Sequence, residues 1–277
     1  MKFADAYIDQ IEALAEWMRL PRVRALHLPP QPARRDNLGE FCAVELDDGA
    51  IGLSYVLLDD TLARLQAEHG HHHLTGADAL TLARQYASGH GAARTVGFAA
   101  ANALSQSLFH RAGYEPPSST DAIGGLDPQP HEHIGMIGLF PPLVDAVTRH
   151  GARLTVAELN PALAMEHPGY RVTLDANELR DCQKVLSTST VLLNDTLDAM
   201  LARCRSAKLF AMIGPGAGML PDALFARGVT LVGGSQVTDG PAFLDGLRSG
   251  RKHGKATRKY GLTPANYPGF AALLARL

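Results

Sequence analysis

The densest group of metal-ligating side chains is Glu68-His69-Gly70-His71-His72-His73. Neutral imidazoles bind zinc, copper, nickel and iron, and clustering raises the local density of donors. A specific site also needs fixed geometry and outer partners that orient each ring, which a loop does not supply by itself. His69, His71, His72 and His73 are therefore candidate ligands for a transition-metal ion, against the alternative of an exposed loop that picks up metal adventitiously. His131 and His133 form a second, shorter histidine pair.

A different chemistry is offered further along. Glu158 follows an apolar run, where an acid can hold ribose hydroxyls in nucleotide-binding sheets. Ser187-Thr188-Ser189-Thr190, with Asn194 and Thr196 beyond, concentrates hydroxyls and an amide that can either cap a helix or meet a ligand. Gly214-Pro215-Gly216-Ala217-Gly218 allows close approach to the backbone but lacks the Lys and Ser/Thr of a triphosphate loop. Gly138-Leu139-Phe140-Pro141-Pro142 stands where a dinucleotide fold would carry GxGxxG, and its prolines lack the N–H donors of an anion site. The usual NAD or FAD loop is absent. No GxSxG elbow, HExxH or EF-hand loop names a nucleophile or a metal.

These residues need elements to position them. Met1 to Leu20 has the apolar spacing of an amphipathic helix, and its acidic residues make it a poor signal peptide. Arg22–Leu28 reads as a strand. Phe41–Leu46 and Ile51–Val56 flank Asp47-Asp48-Gly49, a hairpin signal. Gly76–Ser88 and Ala92–Arg111 read as helices, the second small and apolar enough to press closely on a neighbour. Residues 115–130 are rich in Pro, Ser, Gly and Asp, which predicts a boundary between domains at 1–125 and 126–277. Beyond it, runs at Ile134–Leu139, Arg153–Glu158, Val185–Ser187, Lys208–Ile213 and Val229–Val232 alternate with helical stretches, including Leu192–Arg203 and Pro241–Arg248. That alternation predicts an α/β fold: an α+β N-terminal domain, then a mainly parallel sheet whose ligand lies at the carboxyl ends of its strands.

A net charge of −2 and a pI near 6.6 leave no basic excess for nucleic acid. No run is long enough to span a bilayer, and Cys42, Cys182 and Cys204 have no paired spacing. A cytoplasmic protein with reduced thiols, no nucleic-acid or membrane partner, and an open oligomeric state is the expectation.

Gly39-Glu40 before the hairpin, Thr95-Val-Gly-Phe-Ala-Ala-Ala-Asn-Ala-Leu104 and Ile134-Gly-Met-Ile-Gly-Leu-Phe-Pro-Pro-Leu143 occur in order. Ala157-Glu-Leu-Asn-Pro161, Ser187 to Thr196 and Ile213-Gly-Pro215 follow. Together they resemble the putative heavy-metal chelation family of bacteria and archaea, over nearly the whole chain. The resemblance implies an enolase N-terminal-like domain joined to a Rossmann-like domain, with a ligand cleft between them. By motif it carries over Glu40, Asn102, Phe140, Pro141, Glu158, Thr188, Thr190, Asn194, Gly214 and Pro215 as ligand-binding positions. The histidine loop matches none of its motifs. The expected function is binding of a small metal-chelating metabolite or its metal complex. The rival is an enzyme acting on a nucleotide-like or amino-acid-derived metabolite, as in metallophore synthesis, with Glu40 or Glu158 as general base.

Overall fold

The computed structural model describes residues 1–30, 40–68, 74–121, 123 and 125–277. The histidines at 69 and 71–73, read above as metal ligands, lie outside the described residues, as does Gly39.

Among the described residues, a three-stranded antiparallel sheet, in order β1 (Val23–His27), β2 (Phe41–Leu46) and β3 (Ile51–Tyr55), forms the N-terminal part with four helices. These are α1 (Phe3–Ala13), α2 (Thr61–Glu68), α3 (Ala79–Ser88) and α4 (Gly91–Arg111). The β2–β3 hairpin turns at Gly49, whose φ of +87° is the left-handed conformation the Asp-Gly signal called for. Helix α4 is buried from Thr95 to Phe109. Its small residues permit this: a β-carbon at Gly52 of β3 would stand 2.1 Å from the Ala103 nitrogen, and one at Gly97 would stand 2.4 Å from Tyr86 N on α3. Alanine and glycine here let a strand and two helices touch backbone to backbone.

The second sheet has eight strands. In chain order they are β4 (His133–Ile137), β5 (Arg153–Ala157), β6 (Met165–His167), β7 (Tyr170–Thr173), β8 (Lys184–Thr188), β9 (Leu209–Ile213), β10 (Leu231–Val237) and β11 (Thr257–Leu262). In space the order is β11-β10-β9-β8-β4-β5-β7-β6. The six strands from β10 to β7 pair in parallel, and β11 and β6 close the two edges antiparallel. Helices α5 (Pro141–Thr148), α6 (Leu197–Arg203), α7 (Asp222–Phe225), α8 (Gly240–Arg248) and α9 (Phe270–Leu274) complete the chain. The expected helix over Leu192–Arg203 is in fact a 3₁₀ turn at Ser189–Leu192 and then α6. The break is local: Asn194 Oδ1 accepts from the Thr196 amide and hydroxyl, and Asp195 adopts φ +57°. Side-chain bonding of this kind competes with the helix ladder.

Residues 117–119 run beside β11, where Ser119 N donates to Lys259 O at 3.0 Å and Gly261 N to Pro117 O at 3.3 Å. The proline- and serine-rich stretch thus covers one edge of the large sheet. The main apolar core is continuous from Phe3 to Leu274 and draws on both sheets. A smaller cluster joins Ala43, Ile51 and Leu53 to Phe243, Leu244 and Leu247 of α8, so α4 and α8 pack on opposite faces of the small sheet. Among the described residues no helix is long and apolar enough to cross a membrane.

Candidate functional site

Strand order reverses between β4 and β8: the chain runs outward from β4 to β5 and β7, then returns to the other side for β8, β9 and β10. Loops leaving adjacent strands in opposite directions open a crevice at such a point. Its floor is tight. Gly138 after β4 has φ +79°, and a β-carbon there would meet Thr188 Cγ2, after β8, at 2.9 Å.

Glu158, half-buried after β5, binds backbone on both sides. Its Oε2 accepts from Leu139 N at 2.9 Å, and its Oε1 from Leu159 N at 2.7 Å and Asn160 N at 3.3 Å. One carboxylate therefore fixes the β4 exit against the β5 exit. Phe140 is half-buried as the N-cap residue of α5, and Pro141 is exposed at that helix's first turn, where its missing N–H costs nothing.

The hydroxyl loop is mostly occupied with itself. Thr188 Oγ1 accepts from Thr190 N at 3.2 Å and donates to Thr190 Oγ1 at 3.0 Å, while Asn194 caps the chain before α6. Gly214, with φ +137°, sits so close to Ser189 that a β-carbon would lie 2.6 Å from its hydroxyl. Pro215 follows as the first residue of a 3₁₀ turn, Pro215–Ala217.

The N-terminal part roofs this edge through α4 and β3. Asn102 is completely buried; its Nδ2 donates to Leu53 O at 2.9 Å and Gly216 O at 3.0 Å, and its Oδ1 accepts from the Tyr7 hydroxyl at 2.9 Å. It is the joint between β3 and the turn after β9, with its amide fully used by protein. Gln106 Nε2 adds a bond to Gly218 O at 3.1 Å, and Ser105 Oγ accepts from Leu220 N at 3.3 Å. Glu40 is buried immediately before β2, and its carbonyl accepts from Val56 N at 3.0 Å.

Tyr55, which sequence reasoning passed over, ends β3 half-buried beside this edge. Burial first, and the Glu158 carboxylate second, push its phenol above the ordinary value, so it is a hydrogen-bond donor. Only its place at the end of an alternating strand could have marked it. Thus Glu158, Phe140, Thr188 and Thr190 flank the crevice, Gly214 and Pro215 lie one strand further, and Asn102 and Glu40 belong to the roof. Asn194 lies beyond the Ser189–Leu192 turn, at the start of α6. Among the described residues no three His, Cys, Asp or Glu side chains are grouped to hold a metal.

Two family models, both described as "Putative heavy-metal chelation", match residues 121–266 and 38–105. The chain belongs to this family. The first match spans all eight strands of the large sheet, and the second contains Glu40, Tyr55 and Asn102. An uncharacterized protein of Methanocaldococcus jannaschii is 33% identical over 150 residues, which are 53% of this chain and 55% of that protein. The chain thus matches about half the length of that curated relative. Two crystal structures of family members of unknown function share the fold. The protein from Pyrococcus horikoshii has a TM-score of 0.66 and 21% identity, covering 94% of this chain and 99% of its own. The one from Desulfitobacterium hafniense has a TM-score of 0.69 and 18% identity, covering 94% and 98%.

Proposed function

We propose that the protein binds a small, positively charged metal chelate in the crevice between the two sheets' parts, taken as domains 1–125 (enolase N-terminal-like) and 126–277 (Rossmann-like). One observation carries this reading. Among the described residues, the loops at the reversal point, Gly138–Pro142, Glu158–Asn160, Thr188–Thr190 and Gly214–Ala217, with Phe41 and Tyr55 of the roof, carry the Glu158 carboxylate and no lysine, arginine or histidine; Glu40 of the roof is a second carboxylate, itself engaged within the protein. Two of the amides at the start of α5 are replaced by proline, which removes donors an anion would use. A phosphate-bearing ligand would meet the Glu158 carboxylate and a donor-poor helix start; a cation or cationic complex meets acceptors. The family description points the same way.

The donors are oxygen atoms on an otherwise apolar surface, a composition suited to recognising the organic part of a chelate as well as its charge. Glu158 spends its oxygens on three amides, so it shapes the crevice and supplies charge rather than moving a proton.

The test is native mass spectrometry of the purified protein with metal analysis, repeated for Glu158→Gln. An organic mass retained with metal, and lost in a folded Glu158→Gln protein, is expected; one charge-assisted contact is worth about 1.5–3 kcal/mol. Metal held without an organic mass, and lost when His69, His71, His72 and His73 are replaced, would leave only an adventitious loop.

A further inference from the structure

The roof of the crevice carries two half-buried aromatic rings: Tyr55 packs at the margin of the main apolar core, and Phe41 belongs to none of the core clusters. Phe41 and Tyr55 are register partners across β2 and β3, so they project from the same face of the small sheet. Their rings lie edge to face, with centroids 5.7 Å apart and planes at 69°, and both are half-buried. They continue the face on which Ala43, Ile51 and Leu53 pack against α8, but beyond the reach of that cluster.

Where this pair lies follows from one shared hydrogen-bond donor and one electrostatic neighbour. Leu53 O and Gly216 O share the Asn102 amide, which sets β3 against the turn after β9. Two residues later, about 7 Å of strand, the Tyr55 phenol experiences the charge of Glu158 at the end of β5. Between β9 and β5 in the sheet stand β8 and β4, the pair at which strand order reverses. Strand β3 and its tyrosine thus cross the mouth of the crevice from one bank to the other. Phe140 stands on the far bank, next to Leu139, whose amide is bound to Glu158.

This inference rests on the chelate reading above and deepens it. We propose that the ligand's metal-binding moiety is a planar aromatic or heteroaromatic ring system, received against Phe41 and Tyr55, with Glu158 meeting the charge. Aromatic faces attract both other rings and cations, so a cationic planar chelate satisfies both properties of the site at once. The Tyr55 hydroxyl, a donor, then meets an acceptor atom on the ligand's rim. A saturated polyamine or aliphatic chelate of the same charge would gain the Glu158 carboxylate but not the ring contacts.

Two platinum(II) complexes separate these terms: ammine-terpyridine and ammine-diethylenetriamine. Both are square-planar dications with every position filled by slowly exchanging nitrogen ligands, so the histidine loop has no coordination site to take. Calorimetry with the full chain is expected to show the terpyridine complex binding about tenfold or more tighter. The preference is expected to vanish in Phe41→Leu/Tyr55→Leu and to persist in Tyr55→Phe, which keeps the ring. Unfolding midpoints check that the variants are folded, and Phe41→Leu alone, expected to reduce the preference in part, serves if the double variant is not. Equal affinity for the two complexes, or a preference that survives loss of both rings, overturns the aromatic proposal. If the saturated complex binds equally and Glu158→Gln weakens it, the chelate site stands without its ring specificity. Failure of both complexes to bind removes the two readings together.

Discussion

The carboxyl ends of the large sheet are treated in two opposite ways. Past β8 and β9 the turns are buried beneath the N-terminal part: Tyr86 hydroxyl donates to Leu192 O at 2.7 Å, Arg94 reaches the same carbonyl at 3.2 Å, and Asn102 and Gln106 bind the carbonyls of Gly216 and Gly218. Past β5 and β7, among the described residues, the surface is more open. Leu159 is 70% exposed, Leu174 51%, and Met165 on the adjoining β6 45%. The reversal point falls on the line between the covered and the open half. A ligand there can touch a rigid bank and a free one, which is how a site combines a preformed surface with an entrance.

Breaking the covered bank should have the largest effect. Asn102→Leu keeps the branched heavy-atom skeleton, with bulkier methyls, but leaves Leu53 O and Gly216 O without the amide they share and Tyr7 without one acceptor. A loss of about 2–4 kcal/mol is expected in urea unfolding, since each buried polar group left unpaired costs about 1–3 kcal/mol. A loss below about 0.5 kcal/mol would mean that the roof is not fastened at this joint.

The open bank should respond in the contrary sense. Leu159→Ser and Leu174→Ser are each expected to change stability by no more than about 0.5 kcal/mol, as exposed positions do. A larger loss that depends on protein concentration would show that these leucines are covered in solution by another copy.

The opposite edge of the sheet supplies the smallest effect and a control. His133 bonds Thr155 Oγ1 through Nε2 at 2.8 Å and faces Arg153 through Nδ1 at 2.8 Å. Burial first, then the Arg153 charge, hold its pKa below the ordinary 6.5; Asp181 and Glu178 act in the other direction. The folded state therefore binds fewer protons than the unfolded one. The contribution is intact above pH 6.5 and is lost as pH falls from there toward the lowered folded value. His133→Asn should flatten the drop in melting temperature between neutral and mildly acidic pH. An unchanged slope would assign that drop to other groups.

How much of this the sequence disclosed depended on burial. Strands β4, β5, β8 and β9 are apolar runs buried on both faces, and each was legible to within a residue or two. The β6–β7 hairpin was not, because Met165-Glu166-His167 is an exposed edge with no apolar alternation to detect. Strand β11 hid for a related reason: only Tyr260 and Leu262 of Thr257–Leu262 are buried. Helix α2 is only eight residues long and buries just Thr61, Leu62 and Leu65, too little apolar repeat to mark a helix in the sequence. At the site, Glu158 and Asn102 stood out as polar groups beside apolar runs. Tyr55 did not, since a tyrosine ending a strand is ordinary until the partner across the crevice is known.

The 117–119 segment lying along β11 has a consequence for how copies of this chain can meet. Among the described residues, that edge of the eight-stranded sheet is hydrogen-bonded to the 117–119 segment, which leaves β6 as the other edge, three residues long. In terms of valence the sheet is monofunctional. One such edge can add one neighbour and then stop, whereas endless edge-to-edge growth requires two. A linker that reads as a spacer between halves thus also acts as a chain terminator for the sheet.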